Sequence, residues 1–339
     1  MTVRLALVGL GYWGPNLARN LAAVEGAELA TLCDADGQRL ARIGRRFPSA
    51  RLVERFEDLI ADEEIDGIVL ATPVSTHYEL CLAALEAGKH VLVEKPLATS
   101  SVECEALIDL ADRRDLRLMV GHVFVYNAAV NKVKAYIDAG EIGDVYYVYS
   151  QRLNLGQVRQ DVNAMWNFAP HDISILCHWF GGEPANIAAR GHAYIQPGIE
   201  DVVFMSMEFP GNILASVHIS WLDPHKIRRM TVVGSEKMIV YDDVSADAKV
   251  VIYDRGVTKR LLDQGDASLG SFRTFGEFQL LLRAGDVLIP KIDFVEPLMT
   301  ECQHFVDCIR TGATPLSDGR QGLWVVRALE AAQRSLAAT

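Results

Sequence analysis

Arg4-Leu5-Ala6-Leu7-Val8-Gly9-Leu10-Gly11-Tyr12-Trp13-Gly14 is the stretch that decides the fold. Its first five residues read as a short buried strand. The strand runs straight into Gly9-x-Gly11-x-x-Gly14, and Pro15 then opens an apolar-periodic helix to about Val24. A glycine triplet means little alone; after a strand and opening a helix it marks a dinucleotide turn. Gly9 permits the tight turn, Gly11 lets the backbone approach a pyrophosphate, and Gly14 lets the helix pack on the strand. The helix N-terminus offers free N–H groups to the anion, with Tyr12 and Trp13 in the same turn. Pro15 suits a first turn, where its missing N–H costs little.

Working outward, Glu28–Cys33 is a second strand, and Asp34 follows at the spacing where such folds place an acid, about 20 residues on. A carboxylate there binds the adenosine ribose hydroxyls and repels a 2′-phosphate, which favours NAD over NADP. Arg39 is a counter-signal, since an arginine nearby can serve NADP; we take it as an exposed helix residue. Helices and strands then alternate. Gly67–Ala71 is a buried strand ending in the polar turn Thr72-Pro73-Val74-Ser75-Thr76-His77, and Val91-Leu92-Val93 is another, ending abruptly in Glu94-Lys95-Pro96. Leu116–Val120 closes the series at Gly121-His122. Alternation of this kind predicts a doubly wound parallel sheet with right-handed crossovers. Ligands sit outside the carboxyl ends of such strands. Thr72, Pro73, His77, Glu94, Lys95, Pro96 and His122 all fall there. Taken alone, Glu94-Lys95-Pro96 reads equally well as a solvated strand end stopped by a proline.

Beyond Gly121 the pattern changes. A helix over Val130–Ala139 precedes a long strand, Asp144–Leu153, and an apolar helix ends near Phe180. Strand candidates then follow one another from Asn186 to Tyr253, the stretch Leu261–Pro290 reads as loop, and two helices cover about Pro297–Arg310 and Asp318–Leu336. Consecutive strands predict a large open, mostly antiparallel sheet with one face covered by helices. The expectation is an α/β chain: a Rossmann domain over residues 1–122 and a C-terminal α+β domain over 123–339 for substrate and oligomerisation. The uncovered sheet face suits contact between copies of the chain.

The totals narrow the function. A chain of 339 residues with net charge -11 is long for one core and lacks the basic surface that nucleic acid requires. The six cysteines form no Cys-x-x-Cys pair and sit mostly in apolar segments, as reduced thiols of a cytoplasmic protein do. The nine histidines show no metal-ligand spacing, and no apolar run approaches the roughly 20 residues of a membrane span. No metal, membrane or nucleic acid is expected.

Gly9-x-Gly11-x-x-Gly14, Ala71-Thr72-Pro73 with His77, Glu94-Lys95-Pro96 and a histidine after the long first strand of the second domain together resemble the glucose–fructose oxidoreductase / inositol dehydrogenase (Gfo/Idh/MocA) family. Glu296-Pro297 and the run from Gly312 through Pro315 to Asp318-Gly319 carry the likeness to the end of the chain. The resemblance implies an NAD(P)-dependent dehydrogenase of a sugar or polyol hydroxyl, a homodimer or homotetramer built through the second-domain sheets. It places Lys95 beside the nicotinamide and the reacting hydroxyl, with a proline that is commonly cis. The family signature of the second domain runs roughly Asp-x-Gly-x-His-x-x-Asp. Here His171 matches the histidine, but Asn167, Ala169 and Ser174 replace the acids and the glycine, and Asp172 is out of register. Lys95 and His171 are left as the acid–base pair.

Oxidising a secondary alcohol removes the hydroxyl proton as hydride leaves carbon. A histidine titrates near the working pH, and a lysine either relays a proton or stabilises the developing alkoxide. We assign His171 as base and Lys95 as polarising relay; either can take the proton. Without the resemblance, His171 is a helix residue held by Asp172 or the backbone. Arg152, Asn154, Arg159, Asn163, Trp166 and Asn167 gather donors and one aromatic before His171, and Tyr126 and Asn127 stand at the domain junction. Sugars want directional polar groups and an aromatic face, and arginines bind the diphosphate of a nucleotide sugar. The segment resembles family members that oxidise the 3-hydroxyl of UDP-linked N-acetylhexosamines such as UDP-N-acetylglucosamine. The alternatives are a dehydrogenase of a free sugar or inositol, and a non-catalytic NAD-binding sensor.

Overall fold

A computed structural model describes residues 2–156, 158–257 and 282–338. The first sheet is formed by β1 (Val3–Val8), β2 (Ala27–Cys33), β3 (Arg51–Val53), β4 (Gly67–Leu70), β5 (His90–Glu94) and β6 (Leu118–Gly121). Its order is β3-β2-β1-β4-β5-β6, and every pair is parallel. Helices α1 (Gly14–Leu21), α2 (Gly37–Gly44), α3 (Glu57–Ile60), α4 (His77–Glu86) and α5 (Ser101–Arg113) fill the crossovers. Burial on both faces explains the apolar runs: Val91, Leu92 and Val93 are at most 2% exposed. Ser100 and Glu103 close a capping box that starts α5.

The remaining elements are α6 (Ala128–Asp138), β7 (Val145–Leu153), α7 (Ala164–Phe180), β8 (Ala185–His192), β9 (Val202–Phe209), β10 (Ile213–Ser220), β11 (Ile227–Gly234), β12 (Met238–Asp242), β13 (Val250–Val257), β14 (Leu282–Leu288), α8 (Pro297–Thr311) and α9 (Gly319–Ala337). Among the described residues the second sheet runs β14-β13-β12-β11-β7-β10-β9-β8, antiparallel except where β10 meets β7. Strict alternation in β9 buries Val203, Met205 and Met207 and exposes Phe204, Ser206 and Glu208. Trp179 of α7 packs edge-on against Tyr241, with ring centres 6.4 Å apart, and its indole donates to the Val130 carbonyl.

The chain divides into two compact units, one of residues 1–127, 173–177 and 294–331, the other of 128–172, 178–293 and 332–339. A single cut between 122 and 123 misses this return. Leu298, Cys302, Phe305 and Val306 of α8 pack with Leu5, Leu7, Leu17 and Leu21 of β1 and α1, so α8 belongs with the first sheet. Part of the stretch expected as loop is strand β14, whose residues carry little alternation; 258–281 lie outside the described residues.

Candidate active site

The glycine turn is built as its spacing requires. Gly9 has φ 91°, and a Cβ there would lie 2.6 Å from the Ala71 carbonyl oxygen. A Cβ on Gly14 would collide with the Gly9 carbonyl, so helix and strand touch at that point. A Cβ on Gly11 would meet nothing within 4 Å. The turn is therefore open at Gly11, where a pyrophosphate would have room, and α1 starts with no side-chain cap on its N–H groups. Tyr12 is 95% exposed, whereas the half-buried Trp13 donates its indole N–H to the Glu94 carboxylate.

Asp34 ends β2 almost buried. Its Oδ2 accepts the Leu10 N–H at 2.6 Å and its Oδ1 the Asp36 N–H at 2.9 Å. Arg39 is not merely an exposed helix residue: its Nη1 lies 3.2 Å from both Asp34 oxygens, and its Nη2 reaches Asp36. The acid thus fastens the glycine turn and holds the arginine. Turn, helix terminus and acid fit a dinucleotide. This chain would hold its pyrophosphate at Gly9–Gly14 and its adenosine ribose at Asp34; the bound cofactor supplies the hydride acceptor.

At the end of β4, Thr76 donates its hydroxyl to Thr72 Oγ1, and Pro73 is exposed. His77 was expected beside the cofactor, but its ring is 1% exposed and spent on the backbone. Nδ1 lies 2.8 Å from the Pro96 carbonyl and Nε2 3.0 Å from the Thr72 carbonyl. Burial holds its pKa below the ordinary value, with Lys95 adding to the effect against those carbonyls. His77 ties the ends of β4 and β5 together. The Lys95–Pro96 peptide is cis, and Glu94 and Lys95 are half-buried.

The second-unit candidates separate into two groups. Arg152 is 4% exposed, and its Nε lies 2.5 Å from Oδ2 of Asp172, whose Oδ1 takes the Ser150 hydroxyl. It is a buried structural ion pair rather than a sugar ligand. Asn163 caps α7: its Oδ1 accepts the Trp166 N–H, and its Nδ2 reaches Glu200 and Gln333. Gln333 also takes the Trp166 indole at 3.1 Å. Asn154, Asn167 and His171 are half-buried, and Arg159 is exposed beside Asp161. Tyr126 and Asn127 belong to the first unit. Tyr126 is 5% exposed with its hydroxyl 2.9 Å from Ser317 Oγ, so it serves the core.

Glu301 escaped the sequence reading. It lies on α8, 1% exposed, in the stripe Leu298-Glu301-Phe305-Cys308. That spacing of three, four and three marks it as an acid on an apolar helix face. Among the described residues no group of three or more His, Cys, Asp or Glu is arranged to hold a metal, and no helix is long and apolar enough to cross a membrane.

The profile described as "Oxidoreductase family, NAD-binding Rossmann fold" (GFO_IDH_MocA) matches residues 3–122, and that of the GFO/IDH/MocA C-terminal domain matches 130–240. Scyllo-inositol 2-dehydrogenase (NAD(+)) of Bacillus subtilis is 27% identical over 93% of this chain and 88% of its own length. UDP-N-acetylglucosamine 3-dehydrogenase of Acidithiobacillus ferrooxidans is 27% identical over 75% of this chain and 78% of its own. The solved structure of the latter organism's UDP-N-acetylglucosamine 3-dehydrogenase GnnA shares the fold, with TM-score 0.82, 23% identity, and coverage of 100% of this chain and 98% of that one. The turn, the acid and both matching domains make this chain an NAD-binding oxidoreductase of the Gfo/Idh/MocA family.

Proposed function

We propose that the chain oxidises a secondary hydroxyl of a nucleotide sugar, the 3-hydroxyl of a UDP-N-acetylhexosamine such as UDP-N-acetylglucosamine, with NAD⁺ as acceptor. The observation that carries this substrate class is Arg159. Its side chain is 46% exposed on the polar segment before α7 and pairs with Asp161 at 2.5 Å, a carboxylate whose place a diphosphate would take. The 27% identity to the Acidithiobacillus 3-dehydrogenase supports the same class. NAD is preferred to NADP because the Asp34 carboxylate repels a 2′-phosphate.

Lys95 and His171 are the acid–base pair in this proposal. His171 takes the hydroxyl proton while Lys95 polarises the oxygen, and Asn154, Asn167 and Arg159 hold the sugar and its diphosphate. Glu94 supports Lys95 through the backbone, since its Oε2 accepts the Lys95 N–H at 3.3 Å. The exposed sheet face carrying Tyr147, Tyr149, Phe204 and Leu214 is proposed as the contact of a homodimer or homotetramer. A second reading, oxidation of a free polyol, has one specific support: the Bacillus inositol dehydrogenase aligns over 93% of the chain.

NADH formation across UDP-sugars, free hexoses and inositols decides between them. Turnover of UDP-N-acetylglucosamine without turnover of inositol is the expected result, and the reverse sinks the nucleotide-sugar assignment. Lys95→Ala and His171→Ala are expected to lose at least 100-fold in kcat, a range typical of general acid–base groups. Full activity in either removes its role.

A further inference from the structure

The loop between β8 and β9 is held more firmly than a surface connection requires, yet it displays apolar side chains. Asp201, 0% exposed, accepts the Tyr194 N–H at 2.6 Å and the Ile195 N–H at 2.9 Å through Oδ2, and its own N–H donates to the His192 carbonyl. Gln196-Pro197-Gly198-Ile199 is a tight turn, with Gly198 at φ 77° and the Ile199 N–H on the Gln196 carbonyl, the pattern of a type II turn. The Gln196 side-chain amide donates to the Arg159 carbonyl at 2.8 Å, and Glu200 takes the Asn163 amide at 2.7 Å. Two contacts thus clamp the loop to the polar segment that carries Arg159. Tyr194 nevertheless stays 69% exposed and Ile195 51%.

A loop already fixed by its own hydrogen bonds loses little entropy on meeting a ligand, which is the advantage of a preorganised site. An aromatic ring held out into water gains when a second flat ring covers it. The His192 ring, centred 5.5 Å away and tilted by 46°, props the Tyr194 ring without covering it. Arg159 supplies the charge. It meets Asp161 as a fork, Nε 2.8 Å from Oδ1 and Nη2 2.5 Å from Oδ2. Paired N–H···O bonds of this kind are also how a guanidinium binds phosphate. The two side chains are 46% and 61% exposed, and ion pairs so exposed are weak, so an anion of higher charge displaces Asp161 readily. Of the other acids, Asp201 is fully buried and Glu200 is engaged with Asn163.

Resting on the nucleotide-sugar reading, we propose that Arg159 and the loop between β8 and β9 form one subsite for the nucleoside diphosphate half of the substrate: the base stacks on Tyr194, and the diphosphate takes Arg159 from Asp161. Asn163, tied to the loop through Glu200, caps α7, and His171 stands about 12 Å further along that helix at 1.5 Å per residue. A diphosphate-linked sugar bridges such a separation, with its hexose at His171 and its base at Tyr194. A free hexose or inositol fills the His171 end alone and gains nothing from the loop. Tyr194 and Arg159 are thereby the residues that sort nucleotide-linked from free sugars, and Asp161 is an internal competitor that occupies the arginine until the diphosphate arrives.

Calorimetric titration of UDP into the intact protein saturated with NAD⁺ tests it. Tyr194→Ala is expected to weaken the UDP Kd about tenfold, within the range of base–aromatic stacking, and Tyr194→Phe, which keeps the ring, to bind as the wild type does. Arg159→Met should weaken UDP about tenfold or more. Asp161→Asn should tighten it about threefold, because the competitor for Arg159 loses its charge; a carboxylate that merely holds the arginine in place predicts the opposite sign. The NAD⁺ Kd should stay constant across all four variants, since the glycine turn and Asp34 lie in the first unit. An unchanged UDP Kd in Tyr194→Ala, or UDP binding that is not tightened by Asp161→Asn, overturns the subsite, as does failure of UDP to bind a protein that turns over UDP-N-acetylglucosamine. Turnover of that sugar leaves the nucleotide-sugar reading standing in each of those cases. A fall in oligomer mass by sedimentation in Tyr194→Ala, with UDP affinity unchanged, makes the ring a contact between copies and overturns the subsite equally. A wild-type protein that neither binds UDP nor turns over any UDP-sugar overturns the nucleotide-sugar reading itself, and the subsite with it.

Discussion

Arg152→Met separates a structural arginine from a substrate-binding one. The Arg152 Nε lies 2.5 Å from Asp172 Oδ2, and the two residues are 4% and 1% exposed. Removing the guanidinium leaves a buried carboxylate with the Ser150 hydroxyl at 2.6 Å. One hydroxyl does not replace a counter-ion. Breaking one side of a buried pair costs about 3–5 kcal/mol, whereas replacing both partners by neutral groups of similar volume is often close to neutral. Arg152→Met should therefore lose about 3–5 kcal/mol, and Asp172→Asn a comparable amount. The double variant Arg152→Met/Asp172→Asn should lose well under their sum, leaving a coupling of about 2 kcal/mol or more. Urea unfolding followed by circular dichroism measures the cycle, with the slope checked for constancy across variants. NAD⁺ titration reports whether the first unit stays intact. The reasoning fails if Arg152→Met unfolds at the wild-type midpoint while KM for UDP-N-acetylglucosamine rises tenfold. In that case the arginine serves the substrate and the ion pair contributes little.

Gly11→Ala and Gly14→Ala should part company: the first adds a Cβ into open space, the second drives one into the Gly9 carbonyl. Gly11→Ala should keep the wild-type Tm while NAD⁺ affinity falls about tenfold or more, the loss of roughly 1.4 kcal/mol of pyrophosphate contact; Gly14→Ala should lower both, as read by calorimetry and thermal melts. Arg39→Ala releases the Asp34 carboxylate from its partner at 3.2 Å, so the NADP⁺ Kd should rise relative to that of NAD⁺ in paired titrations; a fall in that ratio refutes the assignment. Asn163→Ala removes the α7 cap and should cost about 1–2 kcal/mol in urea unfolding. Burial holds the His122 imidazole down to about 3 in the fold against an ordinary value of 6.5. The unfolded chain therefore binds the extra proton below about pH 6.5, and stability falls as pH drops from there toward 3, by at most about 1.4 kcal/mol per unit from this group. His122→Leu should flatten that loss between pH 6.5 and 4.5 in urea midpoints.

The first sheet was legible because its signals are local. A strand such as Val91-Leu92-Val93 is apolar throughout because both faces are covered, and the turn at Gly9–Gly14 announces itself by residues that must lack a Cβ. What depends on distant partners was not legible. The α8 stripe shows an amphipathic helix, yet nothing local says that Phe305 packs with Leu5 and Leu7 rather than with the second sheet. His77 and Asn163 were visible as polar residues at element ends. Their partners, the Pro96 carbonyl and Gln333, lie 19 and 170 residues away, and those partners turn them from ligands into braces.

Asp172 shows the same limit with a chemical consequence. In sequence it is an acid beside the candidate base, two places before Ser174, where an assisting carboxylate is expected. In the fold it is committed: Arg152 neutralises it and Ser150 fills its other oxygen. Both oxygens of an acid so paired are taken up within the second unit. It holds the α7 backbone at His171 without serving as the missing acid. The proposed acid–base pair, His171 on α7 and Lys95 at the end of β5, then works without it.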